Sequence, residues 1–459
     1  MIFRQVLQED LGCASYLVGD ERAGVAAVVD PQLEVEHYLR LARQLGVRIT
    51  DVVETHTHAD HVSGHGRLAV ATGARIHAHE LAGAEYEHVP FGDDLELELG
   101  SVVLHALHTP GHRPEHTALL VTDRRRADEP WAVLTGDALF VGDTGRPDLA
   151  VEAEQGARDL YRALHERLLA LPDHVEVWPG HLGGSLCGGA AMDRKASSTI
   201  GFERRFNPAL ATADEDEFVR RSLAAIGARP PRFERIVAAN RGPLRVRAPE
   251  PEPLAPRQVQ LRAERGELVV DVRTAQQFDE AHVPGSVSVP ALRPGFGSKL
   301  AWLAAPDQPV VLVGRDGAEA RAAARLAASV GVDDVPGYLA GGMTGWREEG
   351  RPVRRTPRAD LEQLRAAEQA GPLTVLDVRD PDEWRAGRIA GARNVPYHRL
   401  VAAPDGVDLD APIAVVCASG ARAGVGASLL ERLGARDVTH VVEGDLDRWA
   451  ALGGSVERG

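Results

Sequence analysis

A dense group of histidine and aspartate residues occurs early in the chain, within ITDVVETHTHADHV (49–62). An apolar run ends there and is followed at once by His56, His58, Asp60 and His61. Imidazole and carboxylate groups crowded in this way are costly to hold together unless a cation neutralises them. The spacing therefore predicts a metal site at the end of a strand.

Three further candidate ligands follow in the same half of the chain: His112 in HTPGH, Asp137 in LTGD and His181 in WPGH. A glycine immediately before each of them lets the backbone turn sharply and bring the side chain inward. The residue types do not determine which metal binds or how many metal ions there are. A full set of ligands would suit a two-metal hydrolase, whereas two histidines and one carboxylate with open positions suit Fe(II) and dioxygen.

A second reactive group is predicted near the C-terminus, in PIAVVCASGARAGVGASLLERLG (412–434). A strand rich in β-branched residues ends at Cys417, a short loop runs from there to Arg422, and a helix follows that ends at Gly434. The loop amides and the helix N-terminus would point toward the sulfur, and Arg422 adds positive charge. These features stabilise a thiolate or a persulfide anion, so Cys417 is the predicted nucleophile.

The elements that must position these groups belong to several domains. At 459 residues the chain is too long for one hydrophobic core, and about two to four domains are expected. In the first half, apolar runs such as 24–30 and 131–137 alternate with helix-like stretches such as 34–46. This alternation predicts a layered α/β fold. The Pro-rich passage 246–257 is predicted to be an extended linker, because proline sustains neither a helix nor a central strand.

An internal repeat follows the Pro-rich passage, where 268–290 matches 373–396 and 309–317 matches 412–420. Each copy reads as alternating strands and helices, which predicts two small α/β domains with mostly parallel sheets. The predicted domains are therefore a first domain (1–245), the linker (246–257) and the two copies of the repeat (258–354 and 355–459). We call the first copy the inactive copy and the second the active copy, for the reason given next.

The two copies differ where the chemistry is predicted. Gly314 stands where the second copy has Cys417, and Glu319 stands where it has Arg422. Glycine has no nucleophile, and a carboxylate at the end of the loop would oppose an anion. The middle domain is therefore predicted to be catalytically inactive and to act as a spacer or docking surface.

Composition excludes several classes of function. The formal net charge of −15 disfavours nucleic-acid binding, which needs a basic surface, and no polybasic segment is available for an anionic membrane. No stretch of the sequence is apolar and long enough to be a membrane-spanning helix. The three cysteines are too few for a disulfide framework and favour a reducing, cytoplasmic location.

The first domain resembles the metallo-β-lactamase superfamily, whose signature is an H-x-H-x-D-H run followed by separate His, Asp and His ligands. Four stretches are similar to its persulfide dioxygenase branch: TPGHRPEHTALLV (109–121), LTGDALFVGDTGRPDL (134–149), PGHLGGSLCGG (179–189) and SSTIGFERRFNPAL (197–210). The resemblance implies an αββα sandwich and one Fe(II) per chain, held by His56, His112 and Asp137. It leaves His58, Asp60, His61 and His181 around these ligands or, in a two-metal alternative, as ligands of a second ion.

The same branch implies that glutathione persulfide is oxidised by dioxygen to sulfite and glutathione. Arg146, Arg204 and Arg205 are predicted to anchor the carboxylates of the peptide, because guanidinium groups pair well with carboxylates. A cysteine recurs near the pocket in this branch, which places Cys187 on the substrate side. Cys13, before an apolar strand, is predicted to be a core residue.

The last domain resembles the rhodanese family through DVRDPDEWRAGRIAGARNVP (377–396) and the six-residue loop that begins at Cys417. The resemblance implies that Cys417 carries sulfane sulfur as a persulfide, between a donor such as glutathione persulfide or thiosulfate and an acceptor such as sulfite. The order of domains resembles persulfide dioxygenase–rhodanese fusion proteins. The expected partners are thus small molecules, and a homo-oligomer is compatible with the sequence.

Two alternatives stay open at this point. One is a two-metal thioester hydrolase of the glyoxalase II type. The other is a non-catalytic sulfur carrier or sensor in which the rhodanese-like domains bind partners.

Overall fold

The computed structural model describes residues 1–183, 185, 187–189 and 191–459. They form two compact units, one of residues 1–248 with 328–331 and one of residues 249–327 with 332–459. Strands and helices alternate in both units, as the predicted fold class requires. Among the described residues, no helix combines the length and the apolar character needed to cross a membrane.

Two six-stranded sheets form the centre of the first unit. The first sheet has the order β1-β2-β3-β4-β5-β6, with strands Ile2–Gln8, Cys13–Asp20, Val25–Val29, Arg48–Val53, Arg75–His79 and Val89–Phe91. The second sheet has the order β14-β13-β10-β9-β8-β7. Its strands, in chain order, are β7 (Glu96–Leu99), β8 (Val102–His108), β9 (Thr117–Asp123), β10 (Ala132–Gly136), β13 (Glu176–Pro179) and β14 (Ser198–Thr199). A short hairpin of β11 and β12, Leu139–Phe140 and Asp143–Thr144, follows β10 in the chain. The helices α1 to α6 are Glu36–Leu45, His65–Thr72, Ala153–Arg162, Ile200–Phe206, Glu215–Ala225 and Phe233–Arg241.

Side-chain alternation along the strands explains why helices cover the outer face of each sheet. In β2, Tyr16 and Val18 enter the core between the two sheets, and Leu17 faces the opposite side, toward Tyr38 of α1. In the second sheet, Ala118 packs with residues of α3 and α5 on the outer face. The predicted αββα sandwich is confirmed.

The predicted helix over 34–46 is also confirmed, as α1. Gly46 ends it in the left-handed conformation, at φ 67°. Its N–H donates to the carbonyls of Ala42 and Arg43, which is the C-terminal signal that the sequence indicated.

Four of the predicted metal ligands follow the C-terminal ends of strands. His56 comes after β4, His112 after β8, Asp137 after β10 and His181 after β13. Strands β10 and β13 are parallel neighbours, so Asp137 and His181 leave the sheet at the same edge. The sandwich thereby gathers residues that are far apart in the sequence.

Two five-stranded sheets organise the second unit, and they have equivalent orders, β15-β19-β18-β16-β17 and β20-β25-β24-β21-β23. In the inactive copy, β15 to β19 are Glu252–Leu254, Leu268–Asp271, Val287–Ser288, Val310–Val313 and Gly337–Leu339. Helices α7 to α11 are Pro256–Glu264, Ala275–Glu280, Phe296–Leu303, Gly317–Ser329 and Gly342–Glu348.

The active copy repeats this pattern with parallel pairing throughout its main sheet. Its strands β20 to β26 are Arg358–Ala359, Thr374–Asp377, Arg388–Ile389, Arg393–Asn394, Ile413–Val416, Val438–Val441 and Val456–Glu457. Helices α12 to α15 are Leu361–Ala370, Pro381–Ala386, Ala421–Arg432 and Leu446–Ala451. The internal repeat of the sequence is therefore a repeat of the fold.

An Asp-x-Arg pair at the end of a central strand has the same structural role in both copies. Arg273 Nε lies 2.9 Å from Asp271 Oδ1, and Arg379 Nε lies 3.0 Å from Asp377 Oδ1. Each guanidinium also donates to a backbone carbonyl eight residues further along the chain. Because the pair is equally formed in the copy without a cysteine, it serves the fold.

The prediction of an extended linker over 246–257 is wrong at its C-terminal end. Residues Glu252–Leu254 form β15, an edge strand beside β19, and Pro256 begins α7. Proline is tolerated in both places, because an edge strand leaves one side of its backbone unpaired and the first helical turn needs no N–H donor.

Candidate functional site

Three predicted ligands converge in the first unit: His56, His112 and Asp137. The two Nε2 atoms lie 3.8 Å and 3.5 Å, respectively, from Asp137 Oδ2. Within the described part of the chain, all three atoms are buried and have no hydrogen-bond partner. Polar atoms in such surroundings are costly unless they are paired, and one small cation between them would satisfy all three.

Hydrogen bonds on the far side of both imidazole rings orient them for metal binding. His56 Nδ1 donates to Thr55 Oγ1 at 2.9 Å, and that hydroxyl donates to Asp30 Oδ2 at 2.8 Å. His112 Nδ1 donates to the backbone carbonyl of Arg146 at 2.9 Å. In each ring this leaves Nε2 with a free lone pair. Burial lowers the pKa of both histidines, which keeps the rings neutral and able to bind a metal.

Asp137 is held in place on two sides. Gly136 precedes it at φ 48°, and a Cβ there would lie 2.6 Å from His116 Nε2. That nitrogen accepts the backbone N–H of Asp137 at 2.9 Å, and His181 Nδ1 donates to Asp137 Oδ1 at 2.7 Å. Burial raises the pKa of Asp137, but the charge and hydrogen bond of His181 outweigh it and bring the pKa to about 2. Sequence analysis missed His116, although it lies within the stretch 109–121.

A second buried cluster adjoins the first and contains Cys13, Asp60, His61 and His181. His181 Nε2 lies 2.7 Å from Asp60 Oδ2, and His61 Nδ1 lies 3.1 Å from Asp60 Oδ1. Cys13 Sγ is 3.6 Å from His61 Nδ1. Burial raises the pKa of this thiol, but the charges of His61 and His181 lower it by more. The pKa of Cys13 is therefore below its ordinary value. Cys13 is buried as predicted, but its thiol faces the site, which the sequence did not indicate.

His58 points to a different set of partners from the neighbouring His56. Its Nε2 lies 3.3 Å from Asp30 Oδ1 and 3.3 Å from Glu54 Oε2. Burial lowers the pKa of His58, but the two carboxylates outweigh it and raise the pKa well above the ordinary value. His58 thus belongs, with Asp30 and Glu54, to a buried group of side chains distinct from the three converging ligands.

Asn240 of α6 fixes the backbone of the ligand-bearing loop. Its Nδ2 donates to the carbonyls of His58 and His61 at 2.9 Å and 2.8 Å. Its Oδ1 accepts the N–H of Ser63 at 2.9 Å. Sequence analysis missed this residue, because nothing in the sequence links Asn240 to a loop that lies so far from it in the chain.

We expect Asn240→Ala to weaken metal binding by about 10- to 100-fold, the usual effect of removing a group that orients metal ligands. Titration against a competing chelator measures this affinity. Glu234→Gln is the matched control, because Glu234 is exposed on the same helix. An unchanged affinity in a folded Asn240→Ala protein would contradict the role given to Asn240.

Cys187 lies beside the metal centre. It is buried, it forms a cluster with Asp137 and His181, and it packs with Phe140 and Met192. Burial raises the pKa of its thiol well above the ordinary value, so the thiol is neutral. The role of Cys187 on the substrate side of the site stays a prediction. The adjacent Gly184, Leu186 and Ala190 lie outside the described residues.

The three arginines predicted to anchor substrate carboxylates have carboxylate partners within the protein. Arg146 Nε donates to Asp148 Oδ1 at 2.7 Å. Arg204 pairs with Asp173, and the exposed Arg205 has its Nη2 3.8 Å from the same carboxylate. The anchoring role of these arginines stays a prediction, and Arg146 also contributes its backbone carbonyl to the site, where it orients His112.

The second reactive group has the predicted strand–loop–helix arrangement. Cys417 directly follows β24 and is buried, and the N–H of Ala423 is 3.4 Å from its Sγ. Gly420 precedes α14 at φ 78°, where a Cβ would lie 2.5 Å from the carbonyl of Val442. Glycine is therefore required for the loop to approach the next strand so closely.

Arg422 forms ion pairs that the sequence did not indicate. Its Nη2 donates to Glu383 Oε1 at 2.7 Å, and its Nη1 lies 3.5 Å from Asp380 Oδ2. The positive charge of Arg422 is thus shared with two carboxylates as well as with the sulfur. The N–H of Ala423, at the start of α14, is the hydrogen-bond donor that the structure places beside Cys417.

The loop of the inactive copy holds a carboxylate of its own. Glu319 Oε2 accepts the backbone N–H of Arg315 at 2.6 Å, and Glu319 Oε1 accepts from the side-chain Nε of Arg315 at 3.0 Å. Gly314 stands at the position of the missing cysteine. These contacts support the prediction that this copy does not carry sulfur.

Both units of the structure contain regions that match known protein families. Residues 9–181 match the metallo-beta-lactamase superfamily, and residues 255–349 and 360–452 each match the rhodanese-like domain. The mitochondrial persulfide dioxygenase ETHE1 of Bos taurus is 32% identical over 224 residues, which span 48% of this chain and 80% of that protein. The chain belongs to the metallo-β-lactamase superfamily.

This superfamily member has persulfide dioxygenases among its homologues and continues into two rhodanese-like domains. A solved metallo-β-lactamase from Staphylococcus aureus is 30% identical, covers 74% of this chain and 99% of its own, and has a TM-score of 0.66. The hydroxyacylglutathione hydrolase of Polaromonas is 36% identical over 171 residues, which span 36% of this chain and 61% of that protein. The superfamily implies a bound metal, and the converging ligand atoms of the first unit fit one.

Proposed function

We propose that the chain oxidises glutathione persulfide with dioxygen, at one Fe(II) held by His56, His112 and Asp137. The observation that carries this proposal is the convergence of three buried ligand atoms without hydrogen-bond partners among the described residues. Two imidazoles and one carboxylate form the ligand set of non-haem Fe(II) enzymes that use dioxygen. The persulfide dioxygenase homologues support the same substrate class.

The reaction consumes one persulfide, one dioxygen and one water, and it yields glutathione and sulfite. The sulfur–sulfur bond breaks, the outer sulfur is oxidised and dioxygen is reduced. Bound Fe(II) supplies redox chemistry that zinc does not have. The chain contributes the geometry: Thr55 and the Arg146 carbonyl fix the two imidazoles, and His116 and His181 fix the carboxylate.

We further propose that Cys417 transfers sulfane sulfur. Its thiolate takes the outer sulfur of a persulfide or of thiosulfate, which releases glutathione or sulfite. The resulting cysteine persulfide then gives that sulfur to sulfite, which yields thiosulfate and regenerates the thiolate. The buried sulfur and the N–H of Ala423 beside it support this role, because both the thiolate and the persulfide are anions.

Oxygen uptake tests the first half of the proposal. The full-length protein, loaded with Fe(II) under anaerobic conditions, is expected to consume one dioxygen for each glutathione persulfide and to release sulfite. A fully iron-loaded protein that consumes no oxygen would contradict the proposal. Such a result, together with a metal content near zero on purification, would favour a sulfur carrier or sensor.

A two-metal hydrolase is the second candidate, because the cluster that contains Cys13 adjoins the first metal site. A thiolate, a carboxylate and two imidazoles are suitable ligands for zinc. That candidate requires two metal ions per chain and hydrolysis of S-lactoylglutathione.

Cys13→Ser separates the two candidates. If the chain holds a single iron, we expect the variant to retain one metal ion per chain, because Cys13 is not among the three converging ligands. The metal-to-protein ratio, measured by mass spectrometry of the metals, checks this. A fall from two ions to one on substitution would support the hydrolase.

A further inference from the structure

The two rhodanese-like domains lie in one compact unit, and their interface reaches the loop that carries Cys417. Helix α14, which follows that loop, packs against β17 of the inactive copy and is buried over residues 423–431. Across this contact, the N–H of Ser288 donates to Ser428 Oγ at 3.0 Å. The inactive copy therefore covers the helix whose N-terminus forms part of the sulfur site.

Asp279 of the inactive copy is connected to the active loop through His440. Asp279 Oδ2 is 2.8 Å from His440 Nδ1, and His440 Nε2 is 2.8 Å from the backbone carbonyl of Gly420. Both side chains are buried, with exposures of 4% and 2%. A carboxylate and a carbonyl only accept hydrogen bonds, so each ring nitrogen of His440 lies where it can donate to one of them, and Asp279 Oδ2 also accepts from Arg358 Nη1 at 3.1 Å.

The carbonyl of Gly420 couples this connection to the sulfur. It also accepts the N–H of Gly424, which is the first backbone bond of α14. A peptide group is planar, so a fixed carbonyl also fixes the direction of the next N–H. The same turn places the N–H of Ala423 at 3.4 Å from Cys417 Sγ. Donors oriented in advance stabilise an anion more than donors that must reorganise.

The packing around His440 is specific to this arrangement. A Cβ at Gly424 would lie 2.9 Å from His440 Cε1, so a residue without a side chain is needed for the ring to fit. In the active copy, the position that aligns with Asp279 is Arg385, which is exposed and pairs with Asp382. The buried carboxylate is thus a feature of the inactive copy and not of the shared fold.

We propose that Asp279 is a positioning residue for Cys417, acting through His440 on the carbonyl of Gly420. The copy that lacks a nucleophile is then a part of the sulfur-transfer site and not only a spacer. This inference rests on the proposed sulfur transfer at Cys417.

Asp279→Asn in the full-length chain tests the inference. Sulfur passes from thiosulfate to Cys417 with release of sulfite, and then to cyanide as thiocyanate, which is measured. We expect kcat to fall about tenfold while KM for thiosulfate changes by less than about twofold, since one oriented donor group is disturbed and not removed. Alkylation of Cys417 by iodoacetamide, followed by mass spectrometry, is expected to slow by a similar factor.

His282→Gln is the matched control for a merely structural effect. His282 is also buried in this interface, where its Nε2 lies 3.0 Å from Glu431 Oε2, at the far end of α14 from the loop. We expect this variant to lower the melting temperature and to leave kcat unchanged. A fall in kcat equal to that of Asp279→Asn would overturn the inference.

Substitution of His440 tests the connection from its other side. The double variant Asp279→Asn/His440→Gln is expected to be no slower than the slower single variant, because both act on one carbonyl. If the two single substitutions lower kcat by factors that multiply in the double variant, or if Asp279→Asn has the wild-type kcat, the inference is overturned.

If Asp279→Asn does not fold, a wild-type kcat in His440→Gln overturns the inference in the same way. A wild-type chain without sulfur transfer would instead refute the proposed transfer, and the alkylation rates would still test the positioning.

Discussion

Asp137→Asn is expected to abolish oxygen uptake with glutathione persulfide, with a loss of about 1000-fold in kcat/KM. Asp137 Oδ2 is the one anionic atom among the three converging ligand atoms. An amide of the same size keeps the packing but removes the charge that holds a divalent cation between two neutral imidazoles. The iron content of the purified variant is expected to fall in parallel.

The control for this variant is Asp173→Asn, because Asp173 is a half-exposed carboxylate of the same unit that pairs with Arg204. It is expected to retain oxygen uptake and iron. Asp137→Asn is also expected to retain sulfur transfer from thiosulfate, since Cys417 belongs to the other unit. Full oxygen uptake in Asp137→Asn would remove this carboxylate from the proposed site.

Cys417→Ser is expected to have the converse effect, with a loss of about 1000-fold in sulfur transfer and oxygen uptake within about twofold of the wild type. A serine hydroxyl is not ionised near neutral pH and forms no persulfide, whereas a thiolate does. Thiocyanate formation measures the transfer, and an oxygen electrode measures the uptake. Loss of both activities in a folded Cys417→Ser protein would contradict two separate sites.

The convergence of His56, His112 and Asp137 was predictable because the candidate ligands carry local signals in the sequence. His56 and its neighbours form a compact run, and His112, Asp137 and His181 each follow a glycine. Each candidate ligand also follows a strand, His56 in the first sheet and the other three in the second, so the packing of the two sheets in the predicted sandwich brings them together. The loop around Cys417 was predictable for the same reason, as a strand, a short turn and a helix in one continuous segment.

Residues that act across long sequence separations were not predictable. Cys13 reaches the site from β2, and Asn240 reaches it from α6, and neither has a neighbouring motif. The contact of Asp279 with His440 joins two domains that the sequence separates into independent copies. Burial and partner choice decide such roles, and these depend on tertiary packing that local patterns do not encode.

The arginines show that the partners of a charged residue are also difficult to predict from the sequence. Arg204 and Arg205 were predicted from the chemistry of the guanidinium group, but the nearby Asp173 engages both. Arg422 likewise has the position that the rhodanese loop predicts, but Glu383 takes its hydrogen bonds. A charged residue in a motif identifies a location, whereas its partner depends on carboxylates supplied by other segments.

Metal identity and stoichiometry, measured on protein purified without oxygen, test the central claim most directly. One iron per chain, lost in Asp137→Asn and retained in Cys13→Ser, is the result that we predict. Two zinc ions per chain, together with hydrolysis of S-lactoylglutathione and no oxygen uptake, would contradict it.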